Sequence, residues 1–117
     1  QAVGGLHFNQ RLYIWLETRA PISKQALYNI RIRFFKPYET KRMDISFQNS
    51  QLSSHLFASN SLNLPHGSVF FIRDNRLWIS LPDHVLNGVT NMLVSADTLI
   101  GSKQMDKTDW RQIQVKK

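Results

Sequence analysis

Cysteine is absent from this chain of 117 residues, which excludes a disulfide scaffold, a thiolate metal site and a cysteine nucleophile. Acidic residues are few, with 8 Asp and Glu against 15 Lys and Arg, so the net charge is +7. No apolar run approaches the ~20 residues that a membrane span requires, so we expect none. N-glycosylation sequons are also missing, which favours an intracellular location, nuclear or cytoplasmic. Because the chain begins at Gln1, a removed leader and export stay open as an alternative.

The motifs of common enzyme classes are missing as well. The sequence has no Gly-rich phosphate loop, no nucleophile elbow and no His-Glu metal signature. The four histidines share no ligand spacing. We therefore expect a protein that is not an enzyme and that holds neither a metal nor a cofactor.

The composition is that of one small globular domain. Hydrophobic residues make up 42% of the chain and include 7 Phe, 3 Tyr and 3 Trp, which is enough to form a core. The excess of positive charge favours an anionic partner, with nucleic acid ahead of a membrane surface.

Five segments carry alternating apolar residues with many branched and aromatic side chains, as strands do. They cover residues 11–18, 27–36, 42–49, 68–73 and 76–81. The last two are separated only by Asp74 and Asn75, a pair that favours a tight turn, so they predict a β-hairpin. The pattern indicates an all-β fold, a small and mostly antiparallel barrel or sandwich.

The rest of the chain is less regular. Residues 48–67 read as a long polar loop or as a strand extension with a mobile tip, and residues 92–100 fit either a sixth strand or a short helix. The charged end, 103–117, fits a frayed strand or a tail. We accordingly divide the chain into a barrel domain over 1–83 and an extension of that domain, or a tail, over 84–117.

The predicted hairpin and the residues after it resemble the second signature of the Sm/LSm family. The shared features are Ile72-Arg73, a two-residue turn, and Leu81-Pro82-Asp83 closing the next strand. Upstream, Met43-Asp44 and the strand that follows resemble the first signature. The resemblance covers about residues 42–90 and is greatest to the D-type Sm proteins.

This resemblance implies a five-stranded, strongly bent antiparallel barrel with a short N-terminal helix within Val3 to Gln10. Family members form rings by pairing the fourth strand of one subunit with the fifth of the next. The partners implied are therefore other Sm-like subunits, in a homo- or hetero-oligomer. The interface residues implied on the two strands are Val69, Phe70, Phe71, Leu77, Trp78 and Ile79.

Family members also thread single-stranded, usually uridine-rich RNA through the ring, as subunits of ribonucleoprotein particles. The positions that match the base-reading loops are Lys41, Arg42, Met43, Asp44, Arg73, Asp74 and Asn75. The chain departs from the family's aspartate, asparagine and glycine at Lys41, Asp44 and Asp74. Arg31 and Arg33 extend the basic stretch along the preceding strand and are candidate phosphate contacts.

Two other functions stay open. Tyr13, Trp15, Phe35, Phe70 and Trp78 fall on the non-core side of their strands, where they form either a stacking surface or a covered one. A monomeric oligonucleotide-binding barrel would use Tyr13, Trp15, Phe35 and the arginines of the second strand for single-stranded nucleic acid. An exported β-sandwich adaptor in a membrane-associated complex would instead face lipid or an acidic protein with its basic surface.

Overall fold

The structure is a computed structural model that describes residues 1–115. In this part of the chain, segments with alternating apolar side chains form ten β-strands. The strands are β1 (Ala2–Phe8), β2 (Arg11–Glu17), β3 (Leu27–Phe35), β4 (Thr40–Gln48), β5 (Gln51–His55), β6 (Val69–Arg73), β7 (Arg76–Pro82), β8 (Asn91–Ile100), β9 (Lys103–Lys107) and β10 (Arg111–Gln114). All strand pairings are antiparallel.

The strands form two sheets. Sheet A has four strands in the order β1-β2-β7-β6. Sheet B has six, in the order β10-β8-β3-β4-β5, and β9 also pairs with β8. The inner faces of the two sheets share one apolar core, so the architecture is a β-sandwich.

Side-chain alternation decides which residues enter this core. In β2, for example, Leu12, Ile14 and Leu16 are fully buried, whereas the residues between them face outward. The same period of two buries Ile30, Ile32 and Phe34 in β3. Other members of the core include Tyr28, Met43, Ile45, Phe47, Leu77, Ile79, Leu81, Met92 and Val94.

The expected five-stranded barrel is wrong, because ten strands form two sheets and no closed barrel is found among the described residues. The expected N-terminal helix is also wrong, because residues 2–8 form β1 and pair with β2. Two glycines in that segment disfavour a helix, and the Asn9-Gln10 turn, with positive φ at both residues, suits a tight hairpin.

The five predicted strands are confirmed as β2, β3, β4, β6 and β7, and the Asp74-Asn75 hairpin is confirmed with them. Residues 92–100, for which a strand and a helix were both open, lie within β8, which pairs with β3. Within the charged end, β9 and β10 both pair with β8, and residues 116–117 lie outside the described part.

Helical structure within residues 1–115 is limited to one 3-10 turn, Asp83–Leu86. No helix in this part of the chain has the length and apolar character needed to cross a membrane.

Candidate interaction surface

The outer face of sheet A is apolar and open to solvent. Its aromatic and larger aliphatic outward side chains are Leu6, Phe8, Tyr13, Trp15, Val69, Phe71 and Trp78. Phe8, Val69 and Phe71 keep 63%, 52% and 47% of their surface exposed. The charged outward side chains are Arg11, Glu17, Arg73 and Arg76. The outward positions of these four strands carry no lysine and no aspartate. Aromatic residues and arginine without lysine are the composition that protein interfaces favour.

A glycine allows the centre of this face to form. The indole of Trp15 lies over Gly4 on the neighbouring strand, and a Cβ at Gly4 would sit 2.3 Å from Cζ2 of the ring. The ring of Trp78 lies on the other side, with its centroid 6.4 Å from that of Trp15. The guanidinium of Arg76 lies 4.7 Å from the Trp15 centroid and 5.6 Å from that of Trp78, and it donates to Glu17.

At the border of the face, Phe71 of β6 stacks on Trp78, with the centroids 5.7 Å apart and the planes inclined by 9°. Phe71 nevertheless keeps 47% of its surface exposed. Arg73 is the next outward residue along the strand, and its side chain is exposed. The border therefore combines an exposed ring with a cation.

The second edge of β6 is free of strand partners. Within residues 1–115, β6 pairs only with β7, so one row of its backbone N–H and C=O groups has no neighbouring strand. Four of its five side chains are apolar. Proline, lysine and bulges usually protect an edge strand against association, and β6 has none of them.

The six predicted interface residues fall into two groups. Val69, Phe71 and Trp78 face outward on sheet A, where a partner could contact them. Phe70 faces the core, with its ring centroid 4.7 Å from that of Phe47, so its assignment to the non-core side is wrong. Leu77 and Ile79 are fully buried, and their strand, β7, is paired on both edges.

The predicted basic stripe lies on the opposite side of the molecule, on the outer face of sheet B. There Arg31 donates to the buried carboxylate of Asp97. Asp97 also accepts from the Asn29 amide at 2.9 Å and from Gln104 at 3.3 Å. Arg31 therefore completes a polar network within the sheet.

Arg33 and Arg42 share the second buried carboxylate, that of Asp44, at 3.4 and 2.8 Å. Burial lowers the pKa of Arg33 from its usual value, with Asp44 opposing that effect, whereas the hydrogen bond to Asp44 raises the pKa of Arg42. Arg33 also lies under the ring of Trp110, and Arg42 under that of Phe57. Two arginines and one aspartate thus form a compact group with one net positive charge.

The other predicted RNA contacts are scattered. Met43 is fully buried in the core, where its side chain has no surface to offer a base. Lys41 lies 3.5 Å from Glu39, which also faces Lys36 at 3.8 Å. The loop-matching residues of the resemblance therefore do not form one continuous surface in this fold.

The turn between β6 and β7 is hydrogen-bonded to the residues that follow β2. The Asn75 amide donates to the carbonyl of Thr18 at 2.7 Å, and the Thr18 N–H donates back to the Asn75 carbonyl at 2.9 Å. Asp74 has a positive φ of 55° and accepts from the Ile22 N–H at 3.0 Å. Arg73 has no ion pair with a carboxylate of residues 1–115 and projects into solvent.

One contact resembles part of a catalytic dyad. The Ser46 hydroxyl lies 2.8 Å from Nε2 of His55, and it donates to Oδ1 of the Asn29 side chain, also at 2.8 Å. The described residues contain no group of three or more side chains suited to a metal ion.

Two residues of this surface, Gly4 and Leu6, were not predicted, because they lie in a segment that was expected to be helical. The resemblance did imply Phe71 as an interface residue, but alternation is hidden in the run Val69-Phe70-Phe71-Ile72 and did not show which way Phe71 faces. The usable signal was the pair Gly4-Gly5 before Asn9-Gln10, which suits a strand and a tight hairpin. Comparison of the chain with models of protein families, with curated proteins and with solved structures finds no match.

Proposed function

We propose that this protein is a non-catalytic assembly subunit, in which two copies join through the free edges of their β6 strands. The observation that carries the proposal is the exposed strand Val69–Arg73, which lies at the border of an apolar sheet face and has an unpaired backbone edge. Strand addition at such an edge supplies main-chain hydrogen bonds, and the neighbouring side chains supply specificity.

The sequence of β6 is suited to antiparallel pairing with itself. A twofold axis through the middle of the strand places Phe71 opposite Phe71 of the second copy, and Arg73 opposite Val69. The two Arg73 side chains then lie at opposite ends of the paired region. Ile72, which is 43% exposed on the core side, would pack beside Phe70 of the second copy. Aromatic and branched pairs of this kind stabilise neighbouring strands by about 0.2–1 kcal/mol each.

The resemblance to the Sm family supports this use of β6, since the matching strand joins subunits there. The ring arrangement needs a free edge on the following strand, and in this fold β7 pairs with both β2 and β6. We therefore propose a closed dimer. It would join the outer faces of both copies of sheet A into one continuous apolar surface.

Binding of single-stranded RNA is the second candidate function. The supporting observation is the pair Phe71 and Arg73, an exposed ring beside a cation without a carboxylate partner in the described part of the chain. Such pairs bind nucleic acid bases by stacking and phosphates by charge. The stripe of Arg31, Arg33 and Arg42 is less suitable, because each guanidinium already pairs with a carboxylate.

The dimer is tested by the mass in solution over a range of concentrations, measured by light scattering. We expect a mass approaching twice 13.6 kDa for the natural chain and a shift to the monomer in Phe71→Lys. The matched control is Ser53→Lys, which places the same charge on the outward side of β5, the edge strand of sheet B. This control should leave the mass unchanged.

A natural chain that stays monomeric at every concentration would refute the proposal. Equal dissociation by both lysine variants would also refute it, because the effect would then come from charge rather than from the edge of β6.

A further inference from the structure

The strands β2, β6 and β8 all end at the same end of the sandwich, where the loops and turns that follow them lie. We call this the turn end. The loop of residues 18–26 lies across it and is hydrogen-bonded to the Asp74-Asn75 turn through Thr18 and Ile22. On its other side this loop faces the β8–β9 hairpin across a cavity of about 250 Å³. The loop thus links both sheets at this end.

The turn end exposes aliphatic side chains. Ile100 and Met105, on the two strands of the β8–β9 hairpin, keep 48% and 53% of their surface exposed. Both line the cavity, opposite Ala20 and Pro21 of the loop, which are exposed too. The aromatic ring that lines this cavity, that of Tyr28, is buried.

Cations surround this aliphatic patch. Arg19 and Lys24 belong to the loop, Arg73 to the neighbouring turn, and Lys103 to the hairpin, and all four are exposed. Within residues 1–115 none of them lies in an ion pair. Two carboxylates lie at this end as well: Asp74 is exposed in the turn, and Asp106 lines the cavity, where it pairs with the Gln1 ammonium and Arg19 helps to lower its pKa. By contrast, Lys36 and Lys41 at the opposite end of the sandwich share the carboxylate of Glu39. The two ends therefore differ in available positive charge.

The geometry points to peripheral binding of the turn end to an anionic lipid bilayer. Ile100 and Met105 would enter the interfacial region, and the four cations would lie at the level of the lipid phosphates. Exposed aliphatic side chains ringed by lysine and arginine are the combination that such binding uses. Nucleic acid fits the aliphatic patch less well, because base stacking requires an exposed aromatic ring. The aromatic ring that lines the cavity, that of Tyr28, is buried, and the exposed Phe71 lies on the outer face of sheet A rather than in the cavity wall.

The test is flotation with vesicles of phosphatidylcholine alone and with vesicles that also contain phosphatidylglycerol. We expect binding to the anionic vesicles that weakens as salt is added, and little binding to the neutral ones. The double variant Arg19→Ser/Lys103→Ser should reduce the partition coefficient about 25-fold, because each cation near an anionic surface contributes about fivefold. Ile100→Ser/Met105→Ser should also weaken binding.

The matched control is Lys36→Ser/Lys41→Ser, which removes the same net charge from the opposite end and should change binding less than about twofold. Circular dichroism confirms that each variant is folded. Each experiment is repeated in Phe71→Lys, so that the outcome does not depend on pairing of β6. Equal binding to neutral vesicles, an equal loss in the control, or no binding to anionic vesicles would overturn the inference. So would uridine-rich RNA binding that the Arg19 and Lys103 substitutions remove while vesicle binding persists.

Discussion

The ring of Phe71 lies nearly parallel to that of Trp78, 5.7 Å away and inclined by 9°, on the outer face of sheet A. This contact holds Phe71 in a fixed orientation at the free edge of β6. A side chain already ordered in the free protein loses less entropy when a partner covers it. The stacked pair therefore prepares the edge strand for association, and the other rings of the face extend the same surface.

Gly4→Ala should disturb this surface through Trp15 on the neighbouring strand. The added Cβ would meet the Trp15 indole at 2.3 Å, so the ring must move, and Arg76 loses its position over it. We expect a loss of about 1–3 kcal/mol in the free energy of unfolding, as for other overpacked sites, together with a change in tryptophan fluorescence. Denaturant unfolding followed by fluorescence measures both.

The matched test of that prediction is the same substitution in a Trp15→Leu background. Removing the indole should relieve the clash, so Gly4→Ala should cost much less there than in the natural chain. An equal cost in both backgrounds would show that Gly4 is needed for a reason other than Trp15.

Arg31→Gln should act mainly on stability. Asp97 is buried, with 8% of its side chain exposed, whereas Arg31 keeps 36% exposed. Removing the guanidinium leaves the carboxylate with the weaker donors Asn29 and Gln104, for an expected loss of about 1–3 kcal/mol. Urea unfolding measures the change. Arg111→Gln, an exposed residue without an ion pair in the described part of the chain, is the control and should change stability by less than about 0.5 kcal/mol.

The Arg73→Gln variant tests whether single-stranded RNA contacts the turn between β6 and β7 or whether this turn only stabilises the fold. If single-stranded RNA contacts this turn, Arg73→Gln should reduce the slope of log affinity against log salt by about 0.7, the contribution of one phosphate contact. Arg31→Gln should leave that slope unchanged, because its charge is already paired. Titration of a labelled uridine-rich oligonucleotide at several salt concentrations gives the slopes. The reverse pattern would locate the RNA on sheet B.

Asn75→Ala should loosen the loop of residues 18–26. Its amide donates to the Thr18 carbonyl at 2.7 Å, and we expect the loss of this hydrogen bond to cost about 1 kcal/mol. Hydrogen exchange should show faster opening at Thr18 and Ile22, whose N–H groups bond to the same turn. Asn91→Ala, on the exposed side of β8, serves as the control. Unchanged exchange at both amides would mean that the backbone alone holds the loop.

Local alternation was sufficient to predict the strands that carry much of the core. Leu12, Ile14 and Leu16 in β2, and Ile30 and Ile32 in β3, could be assigned to one face because polar or aromatic residues separate them. In β6 the run Val69-Phe70-Phe71-Ile72 is apolar throughout. Its faces are decided only by register, with Phe70 opposite Ile79, and that register is a long-range property.

The candidate site was harder to predict for the same reason. Arg31 and Asp97 lie on the adjacent strands β3 and β8 but are 66 residues apart in the sequence. The sequence therefore did not show that the charge of Arg31 is paired with a carboxylate. The barrel was expected from a hairpin resemblance, whereas β1, β5, β9 and β10 add strands that divide the fold into two sheets. A local pattern fixes strands, but pairing across the chain decides the architecture.

The pairing of two β6 strands can be tested directly, because the natural chain has no cysteine. In Phe71→Cys the antiparallel register would place the two introduced thiols opposite each other, within the Cα separation of about 4.4–6.8 Å that a disulfide allows. We expect rapid formation of a covalent dimer under mild oxidation, and none above background for Ser53→Cys on the edge of sheet B. Equal, slow cross-linking of both variants would contradict this pairing.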